Sequence, residues 1–259
     1  MWNGEKVSVV FPTYNEQESI RSAIEDFFRS GVVDEIVVIN NNAAPGTSEE
    51  VAQTRAVEVF EPRQGYGYAI QRGLREATGD LLIIAEPDGT FLGRDVLKLL
   101  AYAEDFDCVF GSRTSQTLIW RGANMGWFLR WGNWAVAKLT EMLFNTTTLT
   151  DVGCTMRLIH ADALEVIKPS FSVGGNHFGP EMLLHSVRTG LRVIQIPVNY
   201  LPRVGTSSVT GDLGKAVVLG VHMIGMILAF RFGLWRRQAT GETPDELDAE
   251  REPDVMLKD

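Results

Sequence analysis

Residues 81–91 read Leu-Leu-Ile-Ile-Ala-Glu-Pro-Asp-Gly-Thr-Phe, and the rest of the chain is read outward from them. A short apolar run suits a buried strand, and it ends in two carboxylates, Glu86 and Asp88, at a Pro-Gly turn. In extended chain, residues i and i+2 point to one side, so both carboxylates can face one small target. Two acids that close repel unless a cation sits between them, and a divalent metal is the usual answer. In an α/β protein, a metal at a strand's carboxyl end typically meets a phosphate. A solvated turn is the competing explanation, and these residues alone do not separate the two.

The flanking sequence does. Residues 7–11 (Val-Ser-Val-Val-Phe) form a first strand, broken by Pro12-Thr13-Tyr14-Asn15-Glu16. Residues 17–30 then carry Ile20, Ile24, Phe27 and Phe28 on one helical face. A second strand over 36–39 ends in Asn40-Asn41-Asn42 and a Pro45-Gly46-Thr47 turn, with a helix from about Ser48. A third over 57–60 leads into Arg63-Gln64-Gly65-Tyr66-Gly67-Tyr68-Ala69 and a helix through Glu76. Strand, polar turn and helix, repeated three times, predict an α/β fold with a mostly parallel, doubly wound sheet and a ligand at the strands' carboxyl ends. The glycine loop is Gly-x-Gly-x-Ala with Ile70 where a dinucleotide fingerprint needs glycine, which argues against a nicotinamide site.

The 259 residues are 45% apolar, enough for one large core, so a single domain over 1–235 is expected. A strand beginning at residue 7 leaves no expectation of an N-terminal signal. Cys108 and Cys154 lack metal-ligand spacing and suit a reducing compartment. Residues 242–259 carry eight acidic and two basic side chains, so the net charge of −9 leaves only −3 for the remainder. Composition predicts a disordered acidic tail over 236–259. An acidic body gives no support for nucleic-acid binding.

Four of the six tryptophans, Trp120, Trp127, Trp131 and Trp134, fall within 15 residues, among Arg121, Arg130 and Lys138. Rings mixed with cations favour the boundary between lipid headgroups and acyl chains, while helical spacing equally suits a buried aromatic helix. Residues 216–230 have only His222 as a polar side chain. A helix of that length reaches roughly 22 Å, short of a ~30 Å hydrocarbon core. The expectation is therefore two interface helices, near 117–145 and 213–235, lying on a membrane and not crossing it.

Phe11-Pro12-Thr13-Tyr14-Asn15-Glu16 resembles the opening motif of family-2 glycosyltransferases with the GT-A fold. More narrowly, the chain is similar to the polyprenyl-phosphate hexose synthases, among them the dolichol-phosphate mannosyl- and glucosyltransferases. The resemblance continues through Arg63-Gln64-Gly65-Tyr66-Gly67, Glu86-Pro87-Asp88, Gly111-Ser112-Arg113 and Asp151-Val152-Gly153-Cys154-Thr155-Met156-Arg157. It runs on through Phe178-Gly179-Pro180-Glu181-Met182 and Pro197-Val198-Asn199-Tyr200 to Arg203 and Ser207-Ser208. It covers about residues 5–235, and its specificity lies in seven motifs in order.

The resemblance implies metal-dependent, inverting transfer of a hexose from a nucleotide-diphosphate sugar to a polyprenyl phosphate, at the cytoplasmic face of a membrane. Pro12, Tyr14, Glu16, Asn40 and Asn41 would take the base and ribose, with Arg63, Gly65, Gly67, Glu86 and Pro87 along the nucleotide. Glu86 and Asp88 would hold Mg²⁺ or Mn²⁺ across the diphosphate. The lipid phosphate is already largely dianionic near neutral pH and needs cations, not a base. Arg113, Arg130, Arg157 and Arg203 are the candidate cations, with Asn133 beside them. His177, Glu181 and Asp151 would meet the sugar. Asp151 would serve as general base only if the acceptor were a hydroxyl; otherwise it would orient Arg157 or cap the following helix.

Asn40 and Asn41 stand where relatives usually carry aspartates, Glu86 where aspartate is common, and Thr90 where glutamine is frequent. These departures bear on donor identity and metal geometry. Transfer to a sugar or glycolipid hydroxyl is the second enzyme reading. A non-catalytic nucleotide-sugar-binding membrane scaffold is the reading of another class. A processive synthase lacks its Gln-x-x-Arg-Trp segment here. A nucleotidyltransferase lacks its Gly-rich, Arg-containing first turn. Oligomeric state is left open, a homo-oligomer included.

Overall fold

The structure, a computed structural model, describes residues 1–123, 126–205 and 213–235. Seven strands form one sheet: β1 (Val7–Thr13), β2 (Glu35–Asn40), β3 (Val57–Phe60), β4 (Leu81–Ile84), β5 (Cys108–Ser112), β6 (Arg157–His160) and β7 (Val193–Pro197). Their order is β3-β2-β1-β4-β6-β5-β7. The pairs of β1 with β2 and β4, of β2 with β3 and of β5 with β7 are parallel. β6 alone runs antiparallel, to both β4 and β5. The helices are α1 (Ile20–Arg29), α2 (Thr47–Val51), α3 (Tyr66–Glu76), α4 (Val96–Ala103), α5 (Trp127–Phe144), α6 (Ala161–Ile167), α7 (Phe178–Arg188) and α8 (Leu213–Arg231).

The side-chain alternation of the strands builds two cores. Val7, Val9, Phe11, Leu81 and Ile83 pack with Ile20, Ile24 and Phe27 of α1 and Leu99 and Leu100 of α4. Val10, Val37, Ile39, Leu82 and Ile84 pack with Ile70 and Leu74 of α3, Leu164 of α6, Met182 and Leu183 of α7 and Ile227 of α8. Burying each such side chain contributes about 1.5–3 kcal/mol, so the period-two pattern of the strands locks their register. Phe11 meets Phe27 edge-on at 4.9 Å, joining β1 to α1. Gly73 lets α3 lie against β1, since a Cβ there would stand 2.2 Å from Val10 Cγ1.

The expected mostly parallel sheet is present, and its N-terminal elements fall where the apolar runs place them. β6 adds a feature the repeat did not predict. Because it is antiparallel, its beginning, not its end, lies at the edge where β1, β2, β4 and β5 finish, which brings 151–157 to the same place.

Three of the four clustered tryptophans lie on α5, which begins at Trp127 and not near 117, and their rings are not core. Trp127 is 71% exposed, Trp131 49% and Trp134 41%, following one another along the helix, tilted and edge-on, with centroids 6.5 and 5.4 Å apart. α5 packs along α8, which buries Met223, Met226, Ile227 and Phe230 and exposes Val217, Val218, Val221, Ile224 and Leu228. Among the described residues, no helix is long and apolar enough to cross a membrane. The tail over 236–259 and the Ser207-Ser208 motif lie outside the described residues.

Where α7 meets α8, His185 is buried against Phe230 and Phe171, its Nε2 3.9 Å from Glu181. Burial pushes the imidazole down from 6.5 to about 4, with Arg188 adding to it. A histidine so depressed contributes fully above its unfolded value and loses that contribution as pH falls from 6.5 toward 4. The loss amounts to roughly 3 kcal/mol at most. Thermal unfolding between pH 7 and 4.5 is expected to show a falling Tm that flattens in His185→Leu; an unchanged slope in that variant contradicts this role.

Candidate active site

The acidic turn after β4 is closed on itself. Asp88 is 1% exposed, and its Oδ1 accepts from the Thr90 amide at 2.9 Å and the Thr90 hydroxyl at 2.6 Å. Gly89 takes φ +80° to turn the chain between them. Asp88 Oδ2 is buried without a hydrogen-bond donor, though Arg203 Nη1 stands 3.1 Å away as an ion-pair partner. Burial pushes the Glu86 carboxyl up to about 8; the Asp88 charge adds to this while Arg203 and Arg113 oppose it. An acid pair short of positive charge, with a buried oxygen lacking a donor, fits a hard divalent cation. Among the described residues no cluster of three or more acidic, His or Cys side chains supplies a complete cage. Two carboxylates completed by ligand phosphate oxygens is the form Mg²⁺ commonly takes.

Arg113 and Asp151 form the second part of the site. The Arg113 Nε and Nη2 donate to the two Asp151 oxygens at 2.9 and 3.1 Å, and the Arg113 amide donates at 3.0 Å. Burial pushes the Asp151 carboxyl up, but the Arg113 guanidinium and the Gly153 amide overcome it and hold the acid below its ordinary range. Asp151 therefore orients Arg113, across 38 residues of sequence, and not Arg157. Gln195 of β7 fixes the turn: its Oε1 accepts from the amides of Thr150 and Asp151, and its Nε2 donates to the Asp151 carbonyl. Asn133, on α5, stands near Gly153 and Arg113, whose atoms crowd the same point, and Arg130 lies one turn earlier.

Arg157 opens β6 and is 3% exposed. Its guanidinium donates to the carbonyls of Gly179 and Cys154 and lies over Phe110 at 5.2 Å. It makes no ion pair among the described residues, and burial lowers its pKa. A buried cation held by carbonyls and a ring, with no carboxylate partner among the described residues, is an unfavourable arrangement that an anionic ligand would relieve. Tyr66, the first residue of α3, sits close by; burial, together with Glu86, pushes its phenol well above the usual value.

Of the residues expected along the nucleotide, Tyr14 is 47% exposed beside the buried Pro12, and Pro87 is buried within the acidic turn. Glu16 is turned inward: Oε2 accepts from the amides of Tyr14 and Asn15 at 2.7 and 2.9 Å, and Oε1 from Arg203 Nη2 at 2.5 Å. Asn40 bonds Ser48, Glu58 and the Ala43 amide. Asn41 donates to the carbonyls of Glu61 and Arg63 and accepts from the Gly65 amide, so the second and third turns are tied together. Arg63 leans on Glu61 and the Tyr68 ring. Gly65 and Gly67 admit the backbone of Val173 and Gly174, whose carbonyls would lie 2.3 Å from an added Cβ. That close approach, not a dinucleotide, is what their missing side chains serve in this structure.

His177 and Glu181 part company. His177 immediately precedes α7, its ring 6.4 Å from that of His222, and burial, with His222 adding to it, lowers its pKa. Glu181 is fully buried, accepting from Ser172 and Val173, so its carboxylate braces the 172–173 loop. Tyr66 and Gln195 escaped the sequence reading. The glycines flanking Tyr66 were its only signal, and Gln195 lies in an ordinary strand.

A family model described as Glycosyl transferase family 2 matches residues 8–168. An uncharacterised glycosyltransferase of Mycobacterium tuberculosis is 30% identical over 220 residues, 83% of this chain and 94% of the relative. An undecaprenyl-phosphate mannosyltransferase of Micrococcus luteus is 27% identical over 230 residues, 82% of this chain and 91% of the relative. A dolichyl-phosphate hexose transferase of Haloferax volcanii is 26% identical, covering 83% and 91%. In fold, the chain is similar to glucosyl-3-phosphoglycerate synthase from Mycobacterium tuberculosis, crystallised with Mn²⁺, UDP and glucosyl-3-phosphoglycerate. The TM-score is 0.67 at 19% identity, covering 89% of this chain and 81% of that one.

Proposed function

The chain belongs to glycosyl transferase family 2 and is a glycosyltransferase of GT-A fold, and from that premise we propose that it transfers a hexose from a nucleotide-diphosphate sugar to a polyprenyl phosphate, with inversion. One observation carries this reading. A single sheet edge holds an acid pair short of positive charge, Glu86 and Asp88, and a buried guanidinium, Arg157, that makes no ion pair among the described residues. Such an edge suits two anionic groups with a divalent cation between the protein and one of them.

Glu86 and Asp88 would hold Mg²⁺ or Mn²⁺, whose charge offsets that developing on the departing diphosphate. Tyr14 offers an exposed face to the base, and the Asn41-tied loop 61–65 borders the nucleotide. Arg113, held in one plane by Asp151, and Arg157 would cradle the acceptor phosphate, with Arg130 and Asn133 on α5 leading toward it. A phosphate oxygen then attacks the anomeric carbon as its bond to the diphosphate breaks. No proton is transferred, so Asp151 has no base to be. Neighbours whose bound molecules are UDP and Mn²⁺, and relatives named for undecaprenyl and dolichyl phosphates, support the donor and acceptor classes.

The exposed faces of α5 and α8 suit a bilayer surface, with rings at headgroup depth and Arg130 among anionic headgroups, while Lys138 is paired with Glu141. Replacing Trp127, Trp131 and Trp134 together by Ser is expected to weaken binding to vesicles containing anionic lipid at least ~10-fold. Folding should hold, since all three rings are exposed; undiminished flotation with vesicles contradicts this face. The function itself is tested by incubating the protein with Mn²⁺, UDP- or GDP-sugars and a short polyprenyl phosphate. Sugar is expected in the organic phase from one donor; sugar left wholly with the nucleotide refutes the assignment.

A further inference from the structure

Arg203 lies in the segment that leaves β7 and crosses back over the acidic turn. Val198 bonds Ser112, Leu201 donates to the Thr90 carbonyl at 2.9 Å, and Val204 donates to the Asp88 carbonyl at 2.9 Å. These bonds lay the segment against residues 88–90 of the acidic turn. From it, one guanidinium spans two carboxylates far apart in sequence, Glu16 at 2.5 Å and Asp88 at 3.1 Å. The two contacts differ in kind. The Glu16 arm is a hydrogen-bonded pair, whereas Asp88 Oδ2 receives no hydrogen bond and the Arg203 Nε has no acceptor. The arm on Asp88 is therefore the weaker, and it rests on the oxygen that fits a cation.

From this geometry, and resting on the metal site of the proposed function, we propose that Arg203 is a built-in counter-ion that a divalent cation displaces from Asp88. Before ligand binds, the guanidinium offsets the clustered charge of Glu16, Glu86 and Asp88, and the segment 198–204 closes over the turn. Two positive charges at ion-pair distance from Asp88 Oδ2 repel each other, so cation binding and the Arg203 contact oppose each other. The guanidinium, still anchored by Glu16, then turns its freed edge to the nearest new anion, a diphosphate brought in with the cation. Arg203 thus couples metal occupancy to diphosphate binding and hinders the metal from binding alone. It is a positioning residue that acts in opposite directions on the two ligands.

The test is binding, without turnover. Mn²⁺ alone, followed by the electron paramagnetic resonance of the free ion, is expected to bind Arg203→Gln about five- to tenfold more tightly than wild type, because a competing charge is gone. UDP or GDP in the presence of saturating Mn²⁺ is expected to bind the same variant several-fold more weakly. Arg203→Lys keeps the charge and stem but cannot fork across both carboxylates, so it should fall between the two. It also supplies the comparison should Arg203→Gln unfold. Equal and measurable Mn²⁺ affinity in wild type and both variants overturns the counter-ion role while leaving the metal site standing. Weaker Mn²⁺ binding in the variants overturns it as well, since a purely structural arginine behaves that way. No Mn²⁺ binding to any of them, with or without nucleotide, overturns the inference and the metal site together.

Discussion

Asp88→Asn is expected to lower kcat by at least ~10³-fold while the protein stays folded, a loss of roughly 4 kcal/mol of transition-state stabilisation. The substitution is nearly isosteric. An amide oxygen can still accept from the Thr90 amide and hydroxyl that hold this side chain at 2.9 and 2.6 Å. The turn should therefore keep its shape, with Val204 still bonded to the residue-88 carbonyl. What disappears is half of the charge that would hold a cation opposite the leaving diphosphate. Thermal unfolding and nucleotide-sugar turnover measured on one preparation separate the two effects. A folded Asp88→Asn protein with full activity would remove the metal role altogether.

The second large effect concerns the Arg113–Asp151 pair. Both side chains are buried and meet through two guanidinium-to-carboxylate bonds, with a third from the Arg113 amide. Removing one partner strands the other's charge in a poorly solvated place, so Asp151→Ala is expected to cost about 3–5 kcal/mol of stability. Arg113→Met combined with Asp151→Leu should be more stable than Asp151→Ala alone, because no charge is left stranded. The same pair bears on the chemistry. A carboxylate held below its ordinary range by a bidentate guanidinium is a weak proton acceptor, so Asp151→Asn should raise KM for the lipid acceptor through a loosened Arg113. Chemical denaturation of wild type, Arg113→Met, Asp151→Leu and the double variant gives the coupling. A stable Asp151→Asn protein with unchanged KM and a collapsed kcat would instead make Asp151 a base.

The half of the fold built from apolar runs was legible because its signals are local. Three short apolar runs, each followed by a polar turn and a helix, and a fourth that ends in the acid pair, predict parallel strands in succession. β6 had no such mark. Its four residues, Arg-Leu-Ile-His, carry nothing that states direction, and only pairing with β4 and β5 makes them antiparallel. The tryptophans at helical spacing fitted a core or a surface equally well, and their exposure on α5 decides the matter.

The site shows the same division. The acid pair and the arginines announce themselves by residue type, but their partners do not. Asp151 finds Arg113 and Gln195 from 38 and 44 residues away, and Arg203 finds Glu16 across 187. Asn41 looks like a ligand-facing amide in the sequence, yet its bonds join two turns of the protein. Side-chain pairings over such separations are set by the assembled sheet edge and leave no local pattern.

The most direct test of the central claim offers the purified protein two acceptors of one chain length, a polyprenyl phosphate and the corresponding polyprenol, with Mn²⁺ and the preferred nucleotide sugar. The account predicts transfer to the phosphate alone, since Arg113 and Arg157 would hold a dianion and Asp151 is engaged by Arg113 and so a weak proton acceptor. Comparable transfer to the polyprenol, abolished in Asp151→Asn, would contradict it.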